Sequence, residues 1–287
     1  MFNKRLTRMH IGLIRALGRN RLEYLASNTM NALTQRVDPF IWSFECQAKI
    51  IEIRRETADT KTFVLLPNQH FKRPQPGQHI ELSIDIAGQG DRLVRCYTLS
   101  EMDDTTVSIT VKRSPKGRLS RWLHDSAQLG TSFDISPPRG RFVYRQQEKL
   151  LFICAGSGIT PGYAVLRHML AQPQVADIAF FYRSPTPELT IFQQPLAATG
   201  KVDFSYSRQG DAGQTLAEQL AVYSDILERD IYLCGPESFK NAVLKFLADI
   251  CYDFDRLELE QFAPPSAAAS QARQLDEDVT VYLKSQN

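Results

Sequence analysis

The sequence predicts two domains, an all-β domain followed by an α/β domain that contains a parallel sheet. A chain of 287 residues is longer than one typical domain and suits two of ordinary size. Between residues 45 and 147, short β-like runs alternate with turn-rich segments, a pattern typical of an antiparallel barrel or sandwich. Between residues 148 and 262, apolar strand-like runs alternate with helix-like segments, which is typical of a parallel sheet covered on both faces.

Residues 1–44 differ from the rest of the chain in charge. They carry seven Lys or Arg residues against two Asp or Glu residues, whereas the whole chain has a net charge of +2. The remainder is therefore acidic and a poor match for nucleic acid. Leu6, Met9, Leu13 and Leu17 recur with helical spacing among the arginines. We expect a basic helical extension, which either packs on the body or forms a loosely ordered arm, or else lies on the anionic inner face of a membrane.

The boundaries of the remaining elements follow from the apolar runs and the turn residues between them. In the all-β domain we expect strands at Ala48–Arg54, Thr62–Leu66, His79–Ile84, Leu93–Leu99, Thr106–Lys112 and Ser132–Ile135. In the α/β domain we expect strands at Leu150–Ala155, Ile178–Tyr182, Val202–Tyr206 and Ile231–Cys234, and helices at Tyr163–Ala171, Leu216–Leu220 and Phe239–Ile250. Residues 263–287 form a Pro/Ala/Ser-rich linker and one more strand-like run, Val279–Leu283.

The cysteines bear on the compartment and on metal binding. They are widely separated and form no C-x-x-C pair, so neither a disulfide framework nor a metal site is predicted for Cys46, Cys96, Cys154, Cys234 and Cys251. Thiols within apolar runs favour a reducing, cytoplasmic setting. No apolar run reaches the ~18 residues that a spanning helix needs, and the N-terminus lacks the features of a secretory signal.

The strongest local motif is Gly156-Ser157-Gly158-Ile159-Thr160-Pro161, directly after an apolar strand. Glycines at a strand end let backbone approach a ligand closely, and the start of a helix attracts phosphate. We expect Thr160 to cap the helix and Pro161 to occupy its first position. By itself the motif is equally well explained as a tight strand-to-helix turn.

A second motif, Arg95-Cys96-Tyr97-Thr98, lies at the end of a predicted strand of the all-β domain. Arg95 can bind a phosphate with its guanidinium, and Tyr97, two residues on and therefore on the same face, can lie against a flat heterocycle. Thr98 offers a hydroxyl at the edge of that ring. Such a run in a strand is usually structural when it occurs alone.

Two further turns each precede a predicted helix. Gly117-Arg118-Leu119-Ser120 comes before a helix at Arg121–Asp125, with Ser120 as the expected cap and phosphate donor. Cys234-Gly235-Pro236 places a thiol at the carboxyl edge of the parallel sheet, where such sheets bind ligands. In isolation, an ordinary capped helix and a small buried cysteine explain them better.

The order and spacing of these motifs resemble those of the ferredoxin–NADP reductase superfamily of flavoproteins, over residues 48–262. The resemblance implies an antiparallel β-barrel that binds FAD, opened by a Pro76-Gly77-Gln78 turn. It also implies that Arg95 meets the FAD pyrophosphate, that Tyr97 stacks on the isoalloxazine and that Thr98 approaches N5. Gly117, Leu119 and Ser120 would form the second phosphate turn. The nicotinamide dinucleotide would bind at Gly156, Gly158, Thr160, Pro161, Cys234, Gly235 and Pro236.

The resemblance further implies an enzyme that moves hydride from NADPH or NADH to FAD and then passes single electrons to an acceptor, with Thr98 and Cys234 at the reacting rings. The arrangement resembles the reductases of oxygenases and membrane-bound fatty-acyl desaturases, which often carry a ferredoxin-like [2Fe–2S] domain. No C-x₄-C-x₂-C spacing occurs here. The expected iron–sulfur centre therefore belongs to a partner or to a domain missing after residue 287.

Three residues at predicted strand ends bear on the choice of coenzyme. Arg183, Ser207 and Arg208 could surround a 2′-phosphate, which favours NADPH. Two other functions stay open at this point. One is a free flavin reductase or diaphorase, and the other is a non-catalytic nucleotide-binding adaptor at a membrane.

Overall fold

The computed structural model describes residues 45–86, 92–172, 176–208 and 214–260, together with Ile11, Gly12, Arg15, Ala16 and Phe40. The first four of these isolated residues are helical. The rest of the predicted N-terminal extension and all of residues 263–287 lie outside the described residues, so both expectations stay predictions. No helix in the described part of the chain is long and apolar enough to cross a membrane.

A closed six-stranded barrel forms the first half of the molecule, with strand order β1-β2-β5-β4-β3-β6. Neighbouring strands are antiparallel, and pairing of β1 with β6 closes the barrel. This decides between the barrel and the sandwich that the sequence left open. The strands are β1 Gln47–Arg55, β2 Thr60–Pro67, β3 His79–Asp85, β4 Arg92–Met102, β5 Val107–Lys112 and β6 Ser132–Ile135, with helix α1 at Arg118–Asp125 between β5 and β6.

A five-stranded parallel sheet forms the second half, with strand order β11-β10-β7-β8-β9. Alternate residues of the central strand, Lys149–Ala155, are buried in two different hydrophobic cores, Phe152 on one face of the sheet and Ile153 on the other. Burial on both faces explains why the run is continuously apolar. The predicted α/β fold is confirmed. Its elements are β7 Lys149–Ala155, α2 Ile159–Leu170, β8 Asp177–Ser184, α3 Gln193–Ala197, β9 Val202–Tyr206, α4 Leu216–Leu220, β10 Asp230–Cys234, α5 Glu237–Asp249 and β11 Leu257–Leu259.

The segment between β6 and β7 attaches the barrel to the α/β half. Phe142 is buried in the core beside the parallel sheet, where its ring meets Tyr232 edge-on at 4.9 Å. The Tyr232 hydroxyl donates a hydrogen bond to the Val143 carbonyl at 2.9 Å. Gly77 has a φ of +94°, and a Cβ there would lie 2.0 Å from the Phe142 carbonyl oxygen, so this turn requires glycine. Helix α2 packs directly against β4. The two halves therefore meet along the elements that carry the strongest motifs.

Candidate active site

Strand β4 presents Arg95 and Tyr97 on one face of the barrel. Arg95 is exposed, and its Nη1 donates to the Val94 carbonyl at 2.7 Å, so its guanidinium lies at the surface. The ring of Tyr97 packs against the apolar core of the barrel. Burial raises the pKa of the Tyr97 hydroxyl well above its ordinary value of 10.0, so the ring stays uncharged at neutral pH. The Arg95 guanidinium thus lies near an uncharged aromatic ring, and their roles toward FAD stay predictions.

The hydroxyl of Thr98 is buried and unsatisfied. Thr98 is 3% exposed, and its Oγ1 has no hydrogen-bond partner among the residues that the structure describes. A buried hydroxyl left in this state costs about 1–3 kcal/mol, so native proteins usually supply a partner. A flavin ring edge offers both donor and acceptor atoms to such a hydroxyl. The unpaired Thr98 Oγ1 is the observation that fits FAD at this strand.

The turn before α1 differs from the prediction in its capping. The helix begins at Arg118, with Gly117 as its N-cap and no side-chain cap. Ser120 is the third helical residue, and its Oγ accepts a hydrogen bond from the Ser114 backbone N–H at 3.2 Å and contacts the Gly117 carbonyl at 3.4 Å. The expectation that Ser120 caps the helix was therefore wrong, because the helix starts one turn earlier. Leu119 is buried in the barrel core, which anchors the turn.

The glycine turn after β7 also differs in its details. Gly156–Gly158 form a short 3₁₀ turn, α2 begins at Ile159, and Gly158 occupies the N-cap. The Thr160 hydroxyl donates to the Ser157 carbonyl at 3.0 Å, so it does not cap, and Pro161 is the third helical residue instead of the first. Both expectations were wrong, because the helix starts at Ile159, two residues before Pro161, and Gly158 takes the cap position.

The two glycines of this turn serve different purposes. A Cβ on Gly158 would lie 2.4 Å from the Cys234 carbonyl oxygen, so glycine lets the turn pack tightly against the end of β10. Gly156 has a φ of +55°, and a Cβ there would meet no described atom within 4 Å. Gly156 therefore supplies a left-handed backbone beside open space. Room for a ligand at this turn lies on the side of Gly156.

Cys234 ends β10, and its thiol points into the protein. The residue is fully buried in the same core as Cys154, its register partner on β7. Burial, and then the charge of Cys154, raise the pKa of the Cys234 thiol, which stays protonated at neutral pH. The placement of Cys234 beside the nicotinamide, which the family resemblance implies, stays a prediction. Its backbone and Gly235 shape the edge of the sheet, since a Cβ on Gly235 would meet the Phe239 ring at 2.9 Å. Pro236 is the N-cap of α5.

The predicted coenzyme-selecting residues lie together at the carboxyl edge of the sheet. Arg183 on β8 pairs in register with Ala155, the residue before the glycine turn, and with Ser205 on β9. Ser207 and Arg208 follow β9 and are exposed. Their backbone N–H groups donate to the Ser184 and Pro185 carbonyls, each at 3.0 Å. The structure thus brings all three residues to the edge that also holds Gly156.

Sequence reasoning missed the contact between Glu260 and His79, which joins the two halves. The Glu260 carboxylate is buried, and its Oε1 lies 3.4 Å from Nδ1 of His79 on β3. The two groups lie close together without forming a hydrogen bond. The charge of Glu260 contributes to raised pKa values of both Cys96 and Cys234, after burial as the main cause, which places this carboxylate between the two halves. An acidic residue directly after the short strand Leu257–Leu259 was the available signal.

Comparison with known proteins agrees with the division of the chain into a barrel and an α/β half. The family model described as an oxidoreductase FAD-binding domain matches residues 47–144, and the one described as an oxidoreductase NAD-binding domain matches residues 152–245. The glycine betaine monooxygenase reductase subunit of Pseudomonas aeruginosa is 28% identical over 88% of this chain and 73% of its own length.

Two further relatives support the same relationship. An NADPH oxidoreductase of Mycobacterium tuberculosis is 32% identical over 81% of this chain and 64% of its own length. The crystal structure of the FAD/NAD-binding domain of a Vibrio cholerae nitric oxide dioxygenase superposes with a TM-score of 0.69 at 28% identity, covering 77% of this chain and 99% of that one. The chain therefore belongs to the oxidoreductases in which an FAD-binding domain is followed by an NAD-binding domain, the arrangement that its resemblance to the ferredoxin–NADP reductase superfamily implied.

Proposed function

We propose that this protein is the reductase of an oxygenase or acyl-desaturase system, taking hydride from NADPH and passing single electrons to an iron–sulfur protein. The observation that carries the proposal is the buried, unpaired hydroxyl of Thr98 on the strand against which α2 packs. The glycine turn lies at the start of α2. A flavin on β4 and a dinucleotide at this turn would therefore be held by two elements in direct contact.

We propose that the FAD-binding domain spans residues 45–147 and the NAD(P)-binding domain residues 148–262, flanked by the basic extension 1–44 and a linker 263–287. In the first domain, Arg95 and the turn Gly117–Ser120 would hold the FAD pyrophosphate, and Tyr97 would lie against the ring system. In the second, the turn Gly156–Pro161 would hold the dinucleotide phosphates beside Cys234, Gly235 and Pro236. Bound FAD supplies the chemistry, since it accepts a hydride and releases electrons one at a time.

The side chains of the site act by position and charge. The hydroxyl of Thr98 would donate to or accept from the edge of the flavin ring, which removes the cost of its present burial without a partner. Tyr97 stays neutral because burial raises its pKa, so its ring offers an apolar face. The protonated, fully buried thiol of Cys234 is a poor nucleophile. We therefore assign it the shaping of the sheet edge and no covalent role.

The preference for NADPH rests on charge at the sheet edge. Arg208 is exposed directly after β9, and Arg183 lies on the neighbouring strand. A 2′-phosphate bound between these strand ends would gain charge-assisted hydrogen bonds that NADH cannot form. The coenzyme choice is therefore proposed to lie with Arg183, Ser207 and Arg208.

The acceptor is proposed from the relatives and from the cysteines. One relative is named as the reductase subunit of a monooxygenase, which supports an oxygenase component as partner. The five cysteines of this sequence lack the spacing that a plant-type [2Fe–2S] cluster needs. We therefore place the cluster on a ferredoxin-like partner or further domain. The basic residues 1–44 would allow peripheral contact with an anionic membrane, where a desaturase acceptor would lie.

An anaerobic titration tests the proposal. The purified protein, loaded with FAD, should lose its yellow flavin absorbance on addition of one equivalent of NADPH. Oxidised ferredoxin added afterwards should restore the colour and become reduced itself. Failure of NADPH and NADH to bleach the flavin would exclude the reductase. Rapid reduction of dyes with no electron transfer to any ferredoxin would instead support a free diaphorase.

A further inference from the structure

We propose that Glu101 and Arg167 form a clamp between the two domains that aligns the nicotinamide subsite with the flavin subsite. The inference rests on the proposed function, because it concerns a hydride that crosses from one domain to the other. Both residues are positioning residues in this proposal, and neither contacts a reacting atom. The clamp joins β4, which carries Arg95, Tyr97 and Thr98, to α2, which follows the glycine turn.

The barrel side of the clamp is held firmly. Glu101 is on β4, immediately after a register shift between Leu99 and Glu101 that bends the strand at this point. Its side chain is 16% exposed. Its Oε2 accepts hydrogen bonds from the Arg54 guanidinium on β1 and from the Ser108 hydroxyl on β5, the latter at 3.2 Å. Contacts to two other strands of the barrel, β1 and β5, thus fix the carboxylate.

The other side of the clamp is held by aromatic contacts. Arg167 Nη1 lies 2.7 Å from Glu101 Oε1, and its guanidinium sits over the Tyr163 ring, 5.8 Å from the centroid. The Tyr163 ring stacks in turn on Phe192, with 4.0 Å between the ring centroids. A cation over an aromatic face is attracted by the ring, so the α/β domain itself holds Arg167 in place to meet Glu101.

Each end of the clamp lies on the same secondary-structure element as a proposed cofactor subsite, β4 for the flavin and α2 for the dinucleotide. Glu101 is three residues from Thr98 along β4, a distance of about 10 Å in a strand. Arg167 is seven residues from Thr160 along α2, also about 10 Å in a helix. A shift at the ion pair therefore moves the two subsites relative to each other. Because a misplacement of about 1 Å can slow such a transfer severely, this contact should influence the rate of hydride transfer.

The clamp should be sensitive to salt. Arg167 is half-exposed, so dissolved ions screen its attraction to Glu101. Removal of one charge should slow reduction of bound FAD by saturating NADPH about three- to fivefold, within the range of a partly exposed ion pair. The rate in the wild type should fall as ionic strength rises. The rate in the Glu101→Gln and Arg167→Gln variants should be slow at every salt concentration.

The experiment is rapid mixing of FAD-loaded protein with NADPH under argon, over a range of ionic strengths. It compares wild type, Glu101→Gln, Arg167→Gln and the double variant. Arg139→Gln is the matched control, because it removes an exposed ion pair with Glu81 that lies within the barrel. The double variant should be no slower than Glu101→Gln, since Glu101→Gln already breaks the contact with Arg167. FAD content and circular dichroism should match the wild type throughout.

A second readout does not depend on turnover. Hydrogen–deuterium exchange of the backbone amides in α2 and β4, measured without coenzyme, should be faster in both single variants and unchanged in Arg139→Gln. Wild-type rates and wild-type salt dependence in Glu101→Gln would overturn the clamp while leaving the reductase intact. Absence of flavin reduction in the wild type itself would overturn the proposed function and the clamp with it.

Discussion

Replacement of Thr98 by Val tests the flavin site without reference to turnover. The two side chains have nearly the same shape, but Val has no hydroxyl. The Thr98 Oγ1 is buried and has no partner among the described residues. Removing it should relieve a desolvation cost of about 1 kcal/mol, at the lower end of the range for an unpaired buried group. The variant should therefore be more stable than the wild type when FAD is absent, which is unusual for a change at a buried site.

The same substitution should have the opposite effect when FAD is present. A hydrogen bond between Thr98 and the flavin would be lost, which is worth about 0.5–1.5 kcal/mol, or about a fivefold weaker affinity. Ligand binding stabilises the folded state in proportion to the logarithm of its concentration over Kd, so the variant should gain less from FAD. The melting temperature should rise by about 2–4 °C without FAD, and the increase produced by FAD should shrink.

Thermal unfolding of deflavinated protein, with and without added FAD, measures both effects. Thr98→Ser is the control, since it keeps the hydroxyl and should bind FAD as the wild type does. If Thr98→Val destabilises the FAD-free protein and leaves the FAD-induced shift unchanged, the hydroxyl is an ordinary buried group and the argument from its missing partner fails.

The remaining predictions concern other parts of the site. Arg208→Ala should raise the Kd for NADPH about tenfold and leave that for NADH unchanged, since one charge-assisted hydrogen bond to the 2′-phosphate is lost; equal effects on both coenzymes would contradict the assignment. Tyr97→Ala should release FAD, measured as flavin content after gel filtration, whereas Tyr97→Phe should retain it. Gly158→Ala should destabilise the protein by about 1–3 kcal/mol in chemical denaturation, because its Cβ would meet the Cys234 carbonyl oxygen at 2.4 Å. Above pH 9.0, the ordinary pKa of a cysteine thiol, Cys234 loses its proton in the unfolded chain but keeps it in the folded protein, so the free energy of unfolding should fall as pH rises. The free energy of unfolding of Cys234→Ala should fall less steeply with pH, and a slope identical to that of the wild type would refute this.

The fold could be predicted largely from apolar patterning, and the closure of the barrel could not. Runs such as Leu150–Ala155 predict strands because both faces of the parallel sheet are covered. The choice between barrel and sandwich depends on whether β1 pairs with β6, a contact between Ala48 and Phe133 across 85 positions of sequence. Nothing in either strand alone indicates its partner. The barrel was predicted from the family resemblance and not from the periodicity of the strands.

Local capping was the least predictable part of the site. Residues such as Ser120 and Thr160 are good caps by type, but glycines take the cap positions in both turns. The serine and threonine hydroxyls then bond backbone groups nearby. The Glu260–His79 contact could not be predicted, because it joins residues of different domains. The side-chain direction of Cys234 follows from the pleat of β10, which a motif does not specify.

The proposed hydride transfer explains why Tyr97 and Cys234 need neither an ionised side chain nor a nucleophilic one. Hydride transfer between bound cofactors requires no acid, base or nucleophile from the protein, and the rate depends on how the two rings are placed. Burial raises the pKa of both residues, so each stays neutral beside the subsite proposed for it. Substitutions within a subsite should then change cofactor affinity, whereas substitutions at Glu101 and Arg167 should change the rate at saturation. These separable effects are what a site divided between two rigid domains predicts.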